Sequence, residues 1–166
     1  MPLVTLCWFA FSASAADHPT ALMDLLNAYE VVPDAPALLA LGPEVDLLLQ
    51  AVANDVEVPL TRRGRAVSSL RYFPNPANQQ WLVVALGSSP EGFLRGKAAL
   101  ALADAFDDAA IPAIEAAWVG ADIQLRVALA TALGLIESEV ANQSAAAHLQ
   151  AEREPAVRTA LEKAAR

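Results

Sequence analysis

The chain offers few residues with which to do chemistry. Its 166 residues include two histidines, His18 and His148, and a single cysteine, Cys7. A metal site needs clustered His, Cys or carboxylate ligands, and neither histidine is followed by glutamate, so no metal ligand is assigned. Nucleophilic catalysis needs a base held beside Ser, Cys or Thr. His148 lies in an alanine-rich helical stretch with no partner evident by spacing, and it reads as a surface or groove-lining histidine. The phosphate-cradling pattern G-x-x-x-x-G-K-[ST] is absent, and the seven glycines fall at helix ends or packing positions. Asp107-Asp108 is a carboxylate pair at an interhelical turn, where it reads as a cap rather than an acid/base couple. No catalytic or cofactor-binding residue is assigned, no cofactor is expected, and the chain reads as a non-enzyme.

The most regular feature is a series of arginines. Arg63, Arg95, Arg126 and Arg158 follow one another at steps of 32, 31 and 32 residues. Behind each arginine a small or apolar pair keeps register: Ala66/Leu70, Ala98/Leu102, Leu129/Leu133 and Leu161/Ala165. Gly64 and Gly96 match each other, where a missing side chain lets a neighbouring helix approach. The stretch from Asp122 to Ile136 is the clearest copy. Ile123, Val127, Ala130 and Leu133 recur at helical spacing, with Leu129 and Ile136 widening the stripe, and Asp122 is a natural N-cap. Companion helices are expected at 44–54, 78–86, 109–119 and 139–151, each separated from its arginine helix by a short breaker such as Gly87-Ser-Ser-Pro90. A period of this length marks stacked helix pairs, because one pair cannot bury its own apolar face. An arginine at this place reads as a structural ladder bonding a carboxylate or carbonyl of the adjoining turn; the alternative is a ligand role.

These residues resemble the HEAT-repeat family, particularly its short bacterial form also seen in phycobilisome-lyase-type proteins. The matching segments are Leu125-Arg-Val-Ala-Leu-Ala-Thr-Ala-Leu-Gly134, Leu94-Arg-Gly-Lys-Ala-Ala-Leu-Ala-Leu102 and Pro155-Ala-Val-Arg-Thr-Ala-Leu161. The resemblance spans residues 43–166. It implies an all-α fold, a right-handed α-solenoid of about four HEAT-like helix pairs with an N-terminal capping helix. The expected divisions are a cap at 17–42 and repeats at 43–74, 75–107, 108–137 and 138–166.

Residues 3–11 form an uncharged apolar run, and Ala13-Ser14-Ala15 satisfies the small-residue cleavage rule. Residues 1–16 therefore read as a secretory signal peptide, too short for a membrane span, with a buried N-terminal helix as the alternative. The chain is expected to be exported, periplasmic or secreted, if that signal is genuine, and cytoplasmic otherwise. Charge is divided unevenly. Between residues 17 and 61 stand eight acids and no Lys or Arg, while the remaining 11 acids balance all 11 basic residues, so the net charge of −8 sits in the N-terminal third. A pI near 4.6 opposes nucleic-acid binding, and Arg62, Arg63, Arg65 and Arg71 are too few to reverse that.

The function these features suggest is a protein–protein scaffold of the bacterial envelope, its oligomeric state open with a monomer favoured, using a concave groove lined by the arginine-bearing helices. The alternative, implied by the resemblance, is a lyase- or chaperone-like accessory that loads a prosthetic group onto a client. Candidate partner-binding residues are Asp24, Asp34, Glu44 and Asp46, facing a cationic partner, together with Arg62, Arg65 and Lys97. Trp81 and Trp118 read as core, with a binding hot spot as the alternative. Asn142-Gln-Ser144 is a formal glycosylation sequon.

Overall fold

The computed structural model describes residues 18–27 and 33–166. The expected signal segment, Cys7, Asp17, Tyr29 and Glu30 lie outside them. The described residues form helices and no strand: α1 (Thr20–Asn27), α2 (Ala35–Leu39), α3 (Val45–Asn54), α4 (Leu60–Ser69), α5 (Pro76–Ser88), α6 (Gly92–Phe106), α7 (Ile111–Trp118), α8 (Ile123–Leu133), α9 (Glu139–Ala151) and α10 (Pro155–Ala164). Short 3-10 turns follow α4 (Leu70–Tyr72) and precede α7 (Asp107–Ala110). Among the described residues no helix is long and apolar enough to cross a membrane.

Helix starts are set by short polar side chains. Asp34, Asn75, Asp122 and Ser138 each accept a backbone N–H three residues on, at 2.9, 2.8, 2.8 and 3.1 Å. Each satisfies a donor that the first turn leaves without an intrahelical partner. Proline occupies the first turn of α2, α5, α7 and α10, where its missing N–H costs nothing.

The arginine period has a local cause. Each arginine stands four residues after the first residue bounding its helix, so its N–H makes the first full-turn bond, to the carbonyl of Pro59, Glu91, Asp122 or Glu154. From there three guanidinium groups fold back to the end of the preceding helix and that of Arg126 to the turn just after it. Arg63 Nε donates to the Ala53 carbonyl at 2.8 Å, Arg95 Nε to Leu86 at 2.8 Å, Arg126 Nη1 to Ala121 at 3.0 Å, and Arg158 Nη1 to Leu149 at 3.1 Å. Carbonyls at a helix C-terminus lack intrahelical partners and carry partial negative charge, so a guanidinium there both caps and neutralises.

The four arginine-bearing helices touch in file, α4 on α6, α6 on α8 and α8 on α10; α3, α5, α7 and α9 each pack on the arginine-bearing helix of their own pair. Leu49, Leu70, Leu82, Leu86, Leu102, Ile114, Leu129 and Leu133 are fully buried between these layers. Small residues set the spacing within the file. A methyl on Gly96 would stand 3.0 Å from Ala128 Cβ, and one on Gly134 would stand 3.2 Å from the Ala164 backbone. One buried polar knot ties α3 to α5. Asn78, wholly inaccessible to solvent, accepts from Gln50 at 2.6 Å and donates to Asp46 at 2.9 Å and to the Phe73 carbonyl at 2.8 Å. With both amide donors and its carbonyl engaged, it carries no orphaned polar group.

Two local expectations are corrected. Of the expected α8 stripe, Leu129, Ala130 and Leu133 are buried, as is Ile136 just beyond the helix, whereas Ile123 is 42% exposed and Val127 half-buried, its place taken by Leu125. α8 is apolar on almost every side, so periodicity alone cannot choose the inward face. At Asp107-Asp108 no side chain caps the helix. Asp107 instead ends α6 with φ of +47°, its N–H bonded to the Ala103 carbonyl, in a conformation that favours glycine.

Candidate functional site

The outward face of α6, α8 and α10 is a groove built from residues at one-turn and two-turn spacing. α6 contributes Phe93, Lys97 and Leu100; α8 contributes Gln124, Ala128 and Thr131; α10 contributes Ala156, Ala160 and Lys163. Between α6 and α8 the hollow measures about 560 Å³, and between α8 and α10 about 370 Å³, with Val127 shared by both. The depth follows from side-chain size, since Gly92, Gly96, Ala128, Gly134 and Ala164 leave the seams between helices low. Phe93 and Leu135 stay 45% and 46% exposed on this face. Thr131 and Thr159 donate their hydroxyls to the Val127 and Pro155 carbonyls of their own helices, at 2.8 and 2.9 Å. That removes their polarity from the floor and leaves their methyl groups.

Lys97 holds its ammonium 5.3 Å from the Phe93 ring centroid, a weak cation–π contact. Neither Lys97 nor Lys163 takes part in an ion pair among the described residues. Asp122, at the edge of the hollow, spends one oxygen on the Leu125 N–H. Asp104, further along α6, lies 3.5 Å from Arg71.

Elsewhere the polar side chains are consumed by the fold. Arg63, buried, donates to Glu91 at 2.8 Å, and this bond holds the Glu91 carboxyl below its ordinary range. Around the pair lies a crevice of about 280 Å³ lined by Trp81, Val84 and Ser89. Glu152 accepts the Glu154 N–H and the Arg153 N–H, each at 2.9 Å, and Arg126 Nε at 2.9 Å; these bonds, the Glu154 one foremost, lower its pKa. Asp55 is lowered chiefly by the Glu57 N–H, with a smaller contribution from His18 at 3.0 Å.

His148 does have a partner, which spacing within its own helix could not show. It stacks on Trp118, ring centroids 3.8 Å apart, and meets Glu115 Oε2 at 2.9 Å. Ser144 donates to the same Glu115 carboxylate. In nucleophilic catalysis the histidine must receive the hydroxyl proton; here both groups converge on the carboxylate, so the cluster is wired as a brace between α7 and α9. The sequon serine is thus engaged in the middle of a helix.

The sequence-selected partner residues do not assemble into one surface. Lys97 lines the groove. Arg65 donates to the Leu26 carbonyl at 3.0 Å, tying α1 to α4, and Arg62 is half-buried at the start of α4. Asp46 is drawn into the Asn78 knot and also receives Asn75 at 3.2 Å. Asp34 caps α2, while Asp24 and Glu44 are exposed on α1 and before α3. Phe93, Leu135 and Lys163, which sequence reasoning passed over, share the repeat face with Lys97 and were visible in register. No family model matches the chain, and no curated protein matches it.

Proposed function

We propose that this chain is a non-enzymatic protein–protein scaffold, a short right-handed HEAT-like α-solenoid exported to the bacterial envelope, whose partner docks in the groove of α6, α8 and α10. The observation that carries the reading is the pair of hollows flanking α8, which share Val127 and together span three arginine-bearing helices, with Phe93 and Leu135 exposed along them. The file of contacts from α4 to α10 supports stacked helix pairs, in which each pair covers the next and leaves one extended face. The apolar run at residues 3–11, followed by Ala13-Ser14-Ala15, supports export.

The test is affinity capture from native-host envelope extract with three baits: the parent, Phe93→Asp/Leu135→Asp, and Val84→Asp on the opposite surface. Proteins kept by Val84→Asp and lost with the groove variant are the expected result. Identical capture by all three overturns the groove. Intact mass of the native protein tests export separately, and retention of Met1 would refute it.

A further inference from the structure

Resting on that groove reading, we propose that the segment docking there is an acidic amphipathic helix, apolar along one side and carrying carboxylates along its edges. Three observations converge on this chemistry. The floor is aliphatic and aromatic, made by Phe93, Leu100, Val127, Ala128 and Ala160, so an occupant must present an apolar stripe. The Thr131 and Thr159 hydroxyls on it are already bonded within their own helices, which leaves Gln124, Asp122 and the two lysines, too few groups to pair the backbone of a segment crossing three helices. An extended peptide laid on it would bury backbone N–H and C=O groups without partners, whereas a helix satisfies its own. No strand edge exists among the described residues to pair with an extended segment instead.

Charge supplies the third argument. The chain carries −8 overall, yet the cations of the groove, Lys97 and Lys163, stand outside every ion pair among the described residues. The nearby carboxylates are engaged, Asp122 by the Leu125 N–H and Asp104 by Arg71. This face therefore presents two cations that no carboxylate pairs, on a chain that is negative overall, with the Asp122 charge at one edge. Helices packed about 8–10 Å apart make a three-helix face about 20 Å across, which a helix of about 14–18 residues spans at 1.5 Å per residue.

The experiment uses the full chain and three fluorescent model helices with one shared Leu/Ala stripe, flanked throughout by Glu, Gln or Lys. Fluorescence anisotropy reads binding. The expected order is Glu, then Gln, then Lys, with about tenfold or more between the extremes at low salt and a narrowing gap as the Debye length shrinks. Non-specific attraction to a chain of net −8 would give the reverse order, so a Glu preference reports the groove alone. Lys97→Glu/Lys163→Glu should invert the ranking, with an unchanged urea melt showing that the variant is folded. Equal binding of all three, abolished by Phe93→Asp, leaves the groove standing and overturns the acidic partner. Binding of none, while Phe93→Asp/Leu135→Asp still loses the captured protein, overturns the helical occupant only. Glu-helix binding indifferent to Phe93→Asp overturns both. Concentration-dependent self-association lost in the lysine double variant would make the occupant a second copy, and would overturn the separate partner.

Discussion

Gly64→Ala and Gly96→Ala place the same methyl at the same register of α4 and α6, yet the surroundings predict different outcomes. At Gly96 the new Cβ would lie 3.0 Å from Ala128 Cβ on α8. Ala128 has no rotamer with which to retreat, so the two helices must separate by a few tenths of an ångström. Over-packing of this kind costs about 1–3 kcal/mol, against which alanine returns about 1 kcal/mol of helix propensity. Gly96→Ala should therefore lose about 1 kcal/mol, or about 2–4 °C in Tm for a chain of this size. At Gly64 the methyl would overlap the edge of the Phe93 ring, which is 45% exposed and can swing outward. That variant keeps most of its propensity gain and should match or exceed the parent. Urea melts followed by far-UV circular dichroism measure both, and the Phe93 ring resonances report the swing. A Gly96→Ala variant as stable as Gly64→Ala would refute the close approach of Ala128 to Gly96, which leaves no room between the two helices even where they can slide.

Three further outcomes follow. Asp107→Gly should gain about 1 kcal/mol, because φ of +47° is strained for any residue with a Cβ; a thermal melt no higher than the parent's counts against the strain. Leu133→Ala, at a fully buried site, should lose about 2–5 kcal/mol in urea, and a loss below about 1 kcal/mol, close to what a surface substitution costs, would contradict its place in the core. Arg63→Met should cost about 2 kcal/mol at pH 7, a deficit that shrinks in acid. The reason is linkage. Glu91 has its folded-state pKa depressed below the ordinary 4.5 by the Arg63 bond, so its stabilisation is full above that value and is lost as pH falls through the folded one. A deficit that persists unchanged to the acid limit would assign it to packing alone.

How much of this was legible beforehand depends on whether the cause was local. Asp122 as an N-cap and the arginine steps were readable because a cap and its fourth residue form one short, repeated motif. The arginines' carboxylate partners were not, since Glu91 lies 28 residues from Arg63 and Glu152 lies 26 from Arg126. Their offsets differ because Glu91 is the last residue of its three-residue turn and Glu152 the first of its own. The Glu115–His148 contact spans 33 residues, about one period, and superposing the periods would have brought the two near each other. On α8 uniform apolarity hid only that Ile123 and Val127 lie off the buried face. The backbone of Asp107 was hidden because aspartate caps helices far more often than it ends them. The groove itself emerged only once small residues at the seams and spent threonine hydroxyls could be seen together.

The joints between successive arginine-bearing helices are not mechanically alike. Arg63–Glu91 pins α4 to the turn before α6, and Arg126–Glu152 pins α8 to the turn before α10. Arg95 turns back to Leu86 within its own pair, so α6 and α8 meet through glycine against alanine. Charge-assisted bonds resist rotation, whereas a smooth seam of small residues permits a slight shear. Elastically, the molecule is two stiff jaws on a compliant midline, and faster amide exchange where α6 meets α8 than at its neighbours would reveal it. That midline runs beneath the wider half of the groove, so sliding along it would reshape the mouth without parting the helices, and a tightly held guest would stiffen the body by stopping the slide.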